Sequence, residues 1–445
     1  MDLSAAVASP FTESIDQTLN ESDCPESSST WREVPVMIWG KRKKLLKAGS
    51  KIRPISTSLF SKRFLSTPVL ETSVTKDYDI VIIGAGPAGS SAARAAAQRG
   101  VKVLLVDQKQ HIGVPIQCAE FVPQLISRHV LFSPKCVVQP IETMVTHLPD
   151  GTSQEMKSPG YLLDRSLFDK ELVTSAILSG AEISIETKAV GLSPEGVIVE
   201  HGTKQRVIRS KTMIGADGVH SSVARWTGQP ALKSMVALQC EIVMSKPQTH
   251  VDIFFHQDYE GGYAWFFPKG RTANVGLGVV PSKTSHLSDL LNDFLKNLEE
   301  AKKISRVEIL SRTGGSIPCE PRRQTLFGNI LLVGDAAGHA HPITGAGILN
   351  AVIGGEMAGR IAAEAVARGD LRYLENYEIE WRETFGESLS YASFKRGVLE
   401  ENWNRREVSF ESLIKKTWVG FREYSHERRS ASWRREEVLN TSRQV

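Results

Sequence analysis

Two acids, each at the end of an apolar strand and beside glycines, carry the first chemical signal in this 445-residue chain. The first lies in DYDIVIIGAGPAGSSAARAAAQRGVKVLLVDQK. Gly84, Gly86 and Gly89 follow the spacing G-x-G-x-x-G there, and Asp107 comes 23 residues after Gly84. A carboxylate so placed accepts hydrogen bonds from ribose hydroxyls, and the glycines admit a pyrophosphate. The second lies in LLVGDAAGHAHPITGAGILNAVIGGEMAG, where Asp335 faces a loop of small residues, two His and a Pro. A glycine-rich packing helix would account for the small residues but not for the acid.

The elements that must hold these residues are legible around them. An apolar run from Tyr78 to Ile83 predicts a buried strand, a small-residue helix runs to Arg99, and after Gly100 a second strand ends at Asp107. Gly84 makes the tight turn, Gly86 lets the backbone approach phosphates, and Gly89 lets helix and strand touch. The helix start offers unpaired N–H groups and the positive end of its dipole. Ala88 in the turn and Gln108 beside Asp107 belong to the same expected contact set. A third segment, TMIGADGVHSSVARWTG, predicts a strand leading into Asp217-Gly218 and then Ser221-x-Val223-x-Arg225. It reads either as ligand support or as a surface turn with a solvated Asp217–Arg225 pair.

In this order, from Gly84 to Ile348, GxGxxG, GADG…S-x-VAR and VGDAAG…P-x-TGAG resemble the FAD-dependent hydroxylase and geranylgeranyl reductase superfamily. The resemblance implies FAD as cofactor, with Asp335 on its ribityl chain. It places the backbone of Gly345, Gly347 and Ile348 at the pyrimidine edge of the flavin, where a helix start steadies negative charge on the reduced ring. It also implies that Asp217 supports the pyrophosphate side. Tyr161 and Arg165 are predicted to begin a helix after SPG, and the resemblance sets Arg165 by the cofactor phosphates.

Two further blocks narrow the family. IGVPIQCAEFVP, Ile112 to Pro123, is similar to the CAE or CGE block that geranylgeranyl reductases carry beside the flavin. YEGGYAWFFPKG is similar to their YxWxFP substrate motif, with Glu260 where a Pro often precedes the paired glycines. Strand alternation puts Tyr263, Trp265 and Phe267 on one face, as an aromatic wall for a long apolar substrate or as ordinary core. The following TANVGLGVV is predicted to close that sheet. A similar WxWxIP pattern marks flavin-dependent halogenases, so the motif alone does not choose a chemistry.

Cys118 and His341 are the candidate catalytic residues. With no CxxxxC pair for dithiol chemistry, Cys118 would shape the site, gate the substrate or donate a proton. His339 and His341 stand in the loop beside the flavin, where hydrogen bonding to backbone in that tight loop is the reading favoured and a proton relay near neutral pH is the alternative.

The fold class implied is α/β. A discontinuous Rossmann-like FAD-binding domain (77–230 and 326–370) holds an inserted, mainly antiparallel substrate sheet (231–325), and a helical region (371–445) follows. Residues 1–76 read as a disordered or targeting extension, acidic to Gly40 and then basic, with ten Lys/Arg against Glu71 alone in the second part. From Glu401, ten Lys/Arg and seven acids are interleaved with Trp403, Phe410, Trp418, Phe421, Tyr424 and Trp433. This mixture suits a peripheral membrane contact or a partner protein, but a helical cap on the substrate domain is the reading favoured.

Composition sets outer bounds. A net charge of +4, with Lys and Arg gathered only in the extension and the C-terminal region, gives no case for nucleic acid, and no apolar run reaches the length of a membrane span. A cytoplasmic or peripheral-membrane location is expected, with organelle targeting as an option carried by the extension. Cys24, Cys118, Cys136, Cys240 and Cys319 are scattered, giving neither a disulfide framework nor an iron–sulfur set, and no metal site is expected. No second GxGxxG unit opens a helix, so electrons are expected from NAD(P)H docking transiently or from an electron-donor protein. Two chemistries stand open. One is hydride transfer to C=C bonds of an isoprenoid-like substrate, which the CAE and YxWxFP blocks favour. The other is a monooxygenase hydroxylating an aromatic small molecule or protein side chain, with halogenase and electron-transfer readings behind it.

Overall fold

The computed structural model describes residues 77–244 and 246–430, and of 427–430 only the backbone. The N-terminal extension and Trp433 lie outside the described residues. In chain order the first strands are β1 (Asp77–Ile83), β2 (Val103–Val106), β3 (Phe121–Pro123), β4 (Val137–His147) and β5 (Ser153–Leu163). Then come β6 (Glu182–Ser184), β7 (Thr187–Ser193), β8 (Gly196–His201), β9 (Lys204–Gly215) and β10 (Ser234–Val243). The last are β11 (His250–Phe254), β12 (Tyr263–Lys269), β13 (Thr272–Val279), β14 (Ile309–Pro318), β15 (Leu326–Phe327) and β16 (Ile330–Leu332).

The first sheet has the order β15-β16-β9-β1-β2-β6, with β7 and β8 joined to it through β9. Its central pairs are parallel. Buried on both faces, β2 reads VLLV throughout, the continuous apolar run such strands require. Ile80 and Ile82 face helices α1 (Pro87–Ala97) and α2 (Arg165–Leu178), while Val81 and Ile83 face the β7–β9 layer and the short α3 (Ser222–Trp226). Three separated stretches build this sheet, so the Rossmann-like unit is discontinuous as expected.

The second sheet runs β14-β10-β13-β12-β11-β4-β5-β3 and is antiparallel except for β11 with β4. Three expectations are corrected here. Residues 121–163, read as part of the cofactor domain, are hydrogen-bonded into this sheet, because β4 pairs with β11 about a hundred residues later. TANVGLGVV does not close the sheet, since β13 lies between β10 and β12. Tyr161 sits on β5, and only Arg165 begins the helix, behind an Asp164 cap.

Alternation on β12 separates two cores. Ala264 and Phe266 face the amphipathic α4 (Leu287–Glu300). Tyr263, Trp265 and Phe267 face the other way, toward the C-terminal helices. Before those helices comes α5 (Ile348–Arg368), which packs on α1 at backbone contact. A β-carbon at Gly355 would meet the Ala88 carbonyl oxygen at 2.2 Å, and one at Gly359 would meet that of Ala92 at 2.1 Å. This close approach is why α5 is built of Gly and Ala. After it, α6 (Glu375–Trp381), a π-helical turn (Arg382–Gly386) and α7 (Glu387–Asn402) form one continuous rod, followed by α8 (Phe410–Thr417) and α9 (Arg422–Ser430).

Candidate active site

Two helix starts and one acid converge at the end of the parallel sheet. Gly84 has φ +103°, and a β-carbon there would lie 2.3 Å from the Ala216 carbonyl oxygen. One at Gly86 would meet nothing within 4 Å, so this glycine leaves open space beside the start of α1. Neither α1 nor α5 has a side-chain cap, their N-caps being Gly86 and Gly347, so their first N–H groups remain available as donors. Gly334 lies between the two starts, with its β-carbon position 2.9 Å from Ala88 Cβ and 3.6 Å from Ala351 Cβ.

Asp335 follows at this junction. Removal from water pushes its carboxyl up to about 6, against the pull of Arg165, and no hydrogen bond offsets the burial. Its Oδ1 is 3.3 Å from the β-carbon position of Gly347. A half-buried carboxylate with no protein donor, two uncapped helix starts and space at Gly86 fit a phosphorylated polyol cofactor. Asp107, by contrast, is already engaged. Its Oδ2 accepts the Ala85 N–H and its Oδ1 the Lys109 N–H, both at 2.7 Å, so it pins the glycine loop and keeps spare lone pairs. Gln108 next to it is exposed.

Asp217 does not pair with Arg225. Its carboxylate accepts from Ser221 Oγ at 2.6 Å and from the N–H groups of Ser222 and Val223 at 2.6 and 3.1 Å, capping α3. Arg225 donates instead to the His220 carbonyl and Ser222 Oγ.

The two histidines differ. His339 is fully buried, its ring 4.9 Å from Trp381 and 5.0 Å from Phe385, with neither nitrogen hydrogen-bonded. Burial, helped by Arg382, drops its pKa to about 3, so it stays neutral, and both expectations for this residue, a side-chain hydrogen bond to backbone and a proton relay, fail. His341 is half-buried, and its Nδ1 accepts the Thr344 N–H at 3.3 Å inside the loop.

On the other side stands Cys118, half-buried, its Sγ accepting the Glu120 N–H at 3.2 Å. Burial pushes the thiol up while the Arg165 guanidinium draws it down. Burial opposes the charge on Arg165 too, but the carboxylate of Asp169, bound by Nε and Nη2 at 2.7 and 2.8 Å, raises its pKa. Arg165 thus acts on both Cys118 and Asp335.

The aromatic strand is tied to both sides. Tyr263 donates its hydroxyl to the Thr344 carbonyl at 2.5 Å, in the loop that leads to α5. Trp265 Nε1 donates to Gln239 Oε1 at 2.9 Å, and Gln239 Nε2 donates to the Cys118 carbonyl at 3.1 Å. Phe267 meets Phe121 edge-on at 6.2 Å. Trp403, Phe410, Trp418 and Phe421 are buried in the same core, so these aromatics cap the substrate sheet and are not displayed for a membrane. A small cavity of about 10 Å³ lies between Tyr263, Ile343, Arg396 and Trp418. Sequence reasoning missed Gln239, Glu120, Lys269 and Asn274. Glu120, Lys269 and Asn274 stood inside the quoted blocks, but Gln239 gave no signal.

Among the described residues no helix is long and apolar enough to cross a membrane, and no cluster of His, Cys, Asp and Glu could hold a metal ion. Fold and site together define an FAD-dependent oxidoreductase. Residues 78–235 match the family described as pyridine nucleotide-disulphide oxidoreductase, and residues 235–317 match the geranylgeranyl reductase catalytic domain. A digeranylgeranylglycerophospholipid reductase of Methanococcoides burtonii is 38% identical over 338 residues, covering 70% of this chain and 82% of the relative. The structure of a geranylgeranyl bacteriochlorophyll reductase-like protein from Thermoplasma acidophilum superposes with a TM-score of 0.72. It is 26% identical and covers 84% of this chain and all of that one. A probable FAD-dependent monooxygenase from Pseudomonas aeruginosa shares the fold at 18% identity and a TM-score of 0.60, covering 76% of this chain and all of the other.

The chain belongs to the geranylgeranyl reductase family. It is an FAD-dependent reductase, and the likeness to the monooxygenase is one of fold alone.

Proposed function

We propose that the substrate is a lipid bearing geranylgeranyl chains, of the kind named for the Methanococcoides burtonii relative, and that its chain lies along Tyr263, Trp265 and Phe267. The observation that carries this reading is the Tyr263–Thr344 hydrogen bond, which fastens the aromatic strand to the Asp335 loop. When bound and reduced, FAD supplies the hydride. The chain's own residues do the rest. Asp335 and the start of α5 (Gly345, Gly347, Ile348) hold the polyol and the ring edge. Gly84, Gly86, Ala88 and Gly89 with the start of α1 hold phosphates, Asp107 and Gln108 border the adenosine side, and Asp217 stiffens the adjoining turn. Arg165 fixes charge between Cys118 and Asp335. Cys118 and His341 would border the substrate side of the ring, and the buried aromatic face would keep water from it.

Three separated stretches form the cofactor unit, and residues 121–163 serve the substrate unit instead. Electrons come from NAD(P)H or a carrier protein that docks transiently. With purified protein, NADPH and a geranylgeranyl lipid in micelles, NADPH should be consumed without matching loss of oxygen. Oxygen uptake equal to NADPH oxidation, with a hydroxylated product, would overturn the proposal.

A further inference from the structure

The loop that carries Cys118 is held in a conformation that its residues would not choose. Glu120 has φ +71°, a left-handed geometry uncommon for any residue with a β-carbon, and it is 2% exposed. Its buried carboxylate is fully engaged. Oε1 accepts the Arg165 N–H at 3.0 Å, and Oε2 accepts Lys269 Nζ at 2.6 Å and Asn274 Nδ2 at 2.8 Å. Asn274 also donates to the Ala119 carbonyl at 3.3 Å, and Gln239 to that of Cys118 at 3.1 Å. Every residue from Cys118 to Glu120 is therefore gripped from the substrate sheet, and Lys269 is the last residue of the aromatic strand.

From this geometry we infer that Glu120 is a positioning residue. Its carboxylate, strapped to Lys269, sets the Cys118 thiol in register with the Tyr263–Trp265–Phe267 face and with Arg165. A buried ion pair of this kind is weak evidence for stability but well suited to fixing one arrangement among several. Its location fits that use, because it joins the thiol loop, the start of α2 and the end of the aromatic strand at a single carboxylate. The inference rests on the reading that Cys118 borders the flavin.

The test uses full-length FAD-loaded enzyme, reduced with dithionite, with a geranylgeranyl lipid in micelles. Turnover is paired with peptide-level mass spectrometry of Cys118 alkylation by iodoacetamide across pH. Glycine adopts a positive φ freely, so Glu120→Gly keeps the backbone path while removing the strap, and Lys269→Met removes it from the other end. Each variant should retain FAD, lose at least tenfold in kcat with KM within threefold, and alkylate Cys118 at least tenfold faster, with a lower pH midpoint. A double variant no worse than the poorer single would show that the two act as a unit.

The inference is overturned if either variant leaves kcat and Cys118 alkylation within twofold of the parent. It is equally overturned if kcat falls in both only in step with lost FAD, which would make the network merely structural. Cys118→Ala separates the underlying reading. If that variant turns over normally while the strap variants still expose the thiol, the strap stands and the role given to Cys118 fails.

Discussion

Asp335→Asn should have two effects of opposite sign. In the apoprotein, removal from water raises the Asp335 carboxyl from 3.8 to about 6, Arg165 only partly offsetting it. The folded chain then binds this proton more tightly than the unfolded chain, so ionisation at neutral pH disfavours the fold. The penalty is full above the folded pKa and fades as pH falls through 6 toward 4. Two pH units at about 1.4 kcal/mol each make it about 3 kcal/mol at pH 7.5. At pH 4 the same linkage leaves about 0.5 kcal/mol. Asparagine keeps the shape without the charge, so the apoprotein variant should melt about 5 °C higher at pH 7.5 and nearly level with the parent at pH 4. It should also hold FAD more weakly. A charge-assisted hydrogen bond contributes about 1.5–3 kcal/mol, so Kd should rise roughly 10- to 150-fold by flavin fluorescence titration. A lower melting temperature at pH 7.5, a gain that persists unchanged at pH 4, or an unaltered FAD Kd would each refute this reasoning.

His339→Leu should leave stability near neutral pH unchanged or raised, and should outlast the parent in acid. The parent's His339 is depressed from 6.5 to about 3 by burial, so the unfolded state gains the proton first as pH falls. That costs the parent about 2 kcal/mol at pH 5, read as a difference in urea midpoints between the two proteins. Gly355→Ala places a methyl group 2.2 Å from the Ala88 carbonyl and should cost about 3 kcal/mol or more of stability with loss of bound FAD. Gly397→Ala, with nothing within 4 Å, should be neutral or add about 0.5–1 kcal/mol by thermal melting. Tyr263→Phe removes the hydrogen bond to the Thr344 carbonyl, a cost of about 1–3 kcal/mol, and should slow the single-turnover rate about tenfold with FAD retained.

What could be read from the sequence was what depends on neighbours in the chain. The glycine turn, its strand and helix, and Asp107 lie within one local unit, and Asp335 stood out because a packing helix could not account for it. Alternation alone put Tyr263, Trp265 and Phe267 on one face. What escaped depends on distant partners. The β4–β11 pairing draws 121–163 into the second sheet across an insertion that no local pattern marks. Glu120 finds its counter-charge 149 residues away, so its buried, left-handed setting could not be inferred from CAE. His339 read as a loop histidine bonded to backbone, and its burial against Trp381 and Phe385, supplied by the C-terminal rod, had no local signal. The aromatic–basic tail reads the same whether it coats a lipid surface or a sheet, and only packing shows that Trp403, Phe410, Trp418 and Phe421 lie in the core beside β12.

The central claim is tested most directly by a single anaerobic turnover. Enzyme reduced with dithionite, freed of excess reductant, is mixed with a geranylgeranyl lipid while flavin absorbance and lipid mass are followed together. The account predicts flavin reoxidation without oxygen and a gain of about two mass units per double bond reduced, since each C=C takes up a hydride and a proton. Flavin that stays reduced until oxygen is admitted, with a product about sixteen mass units heavier, the mass of one oxygen atom, would contradict it.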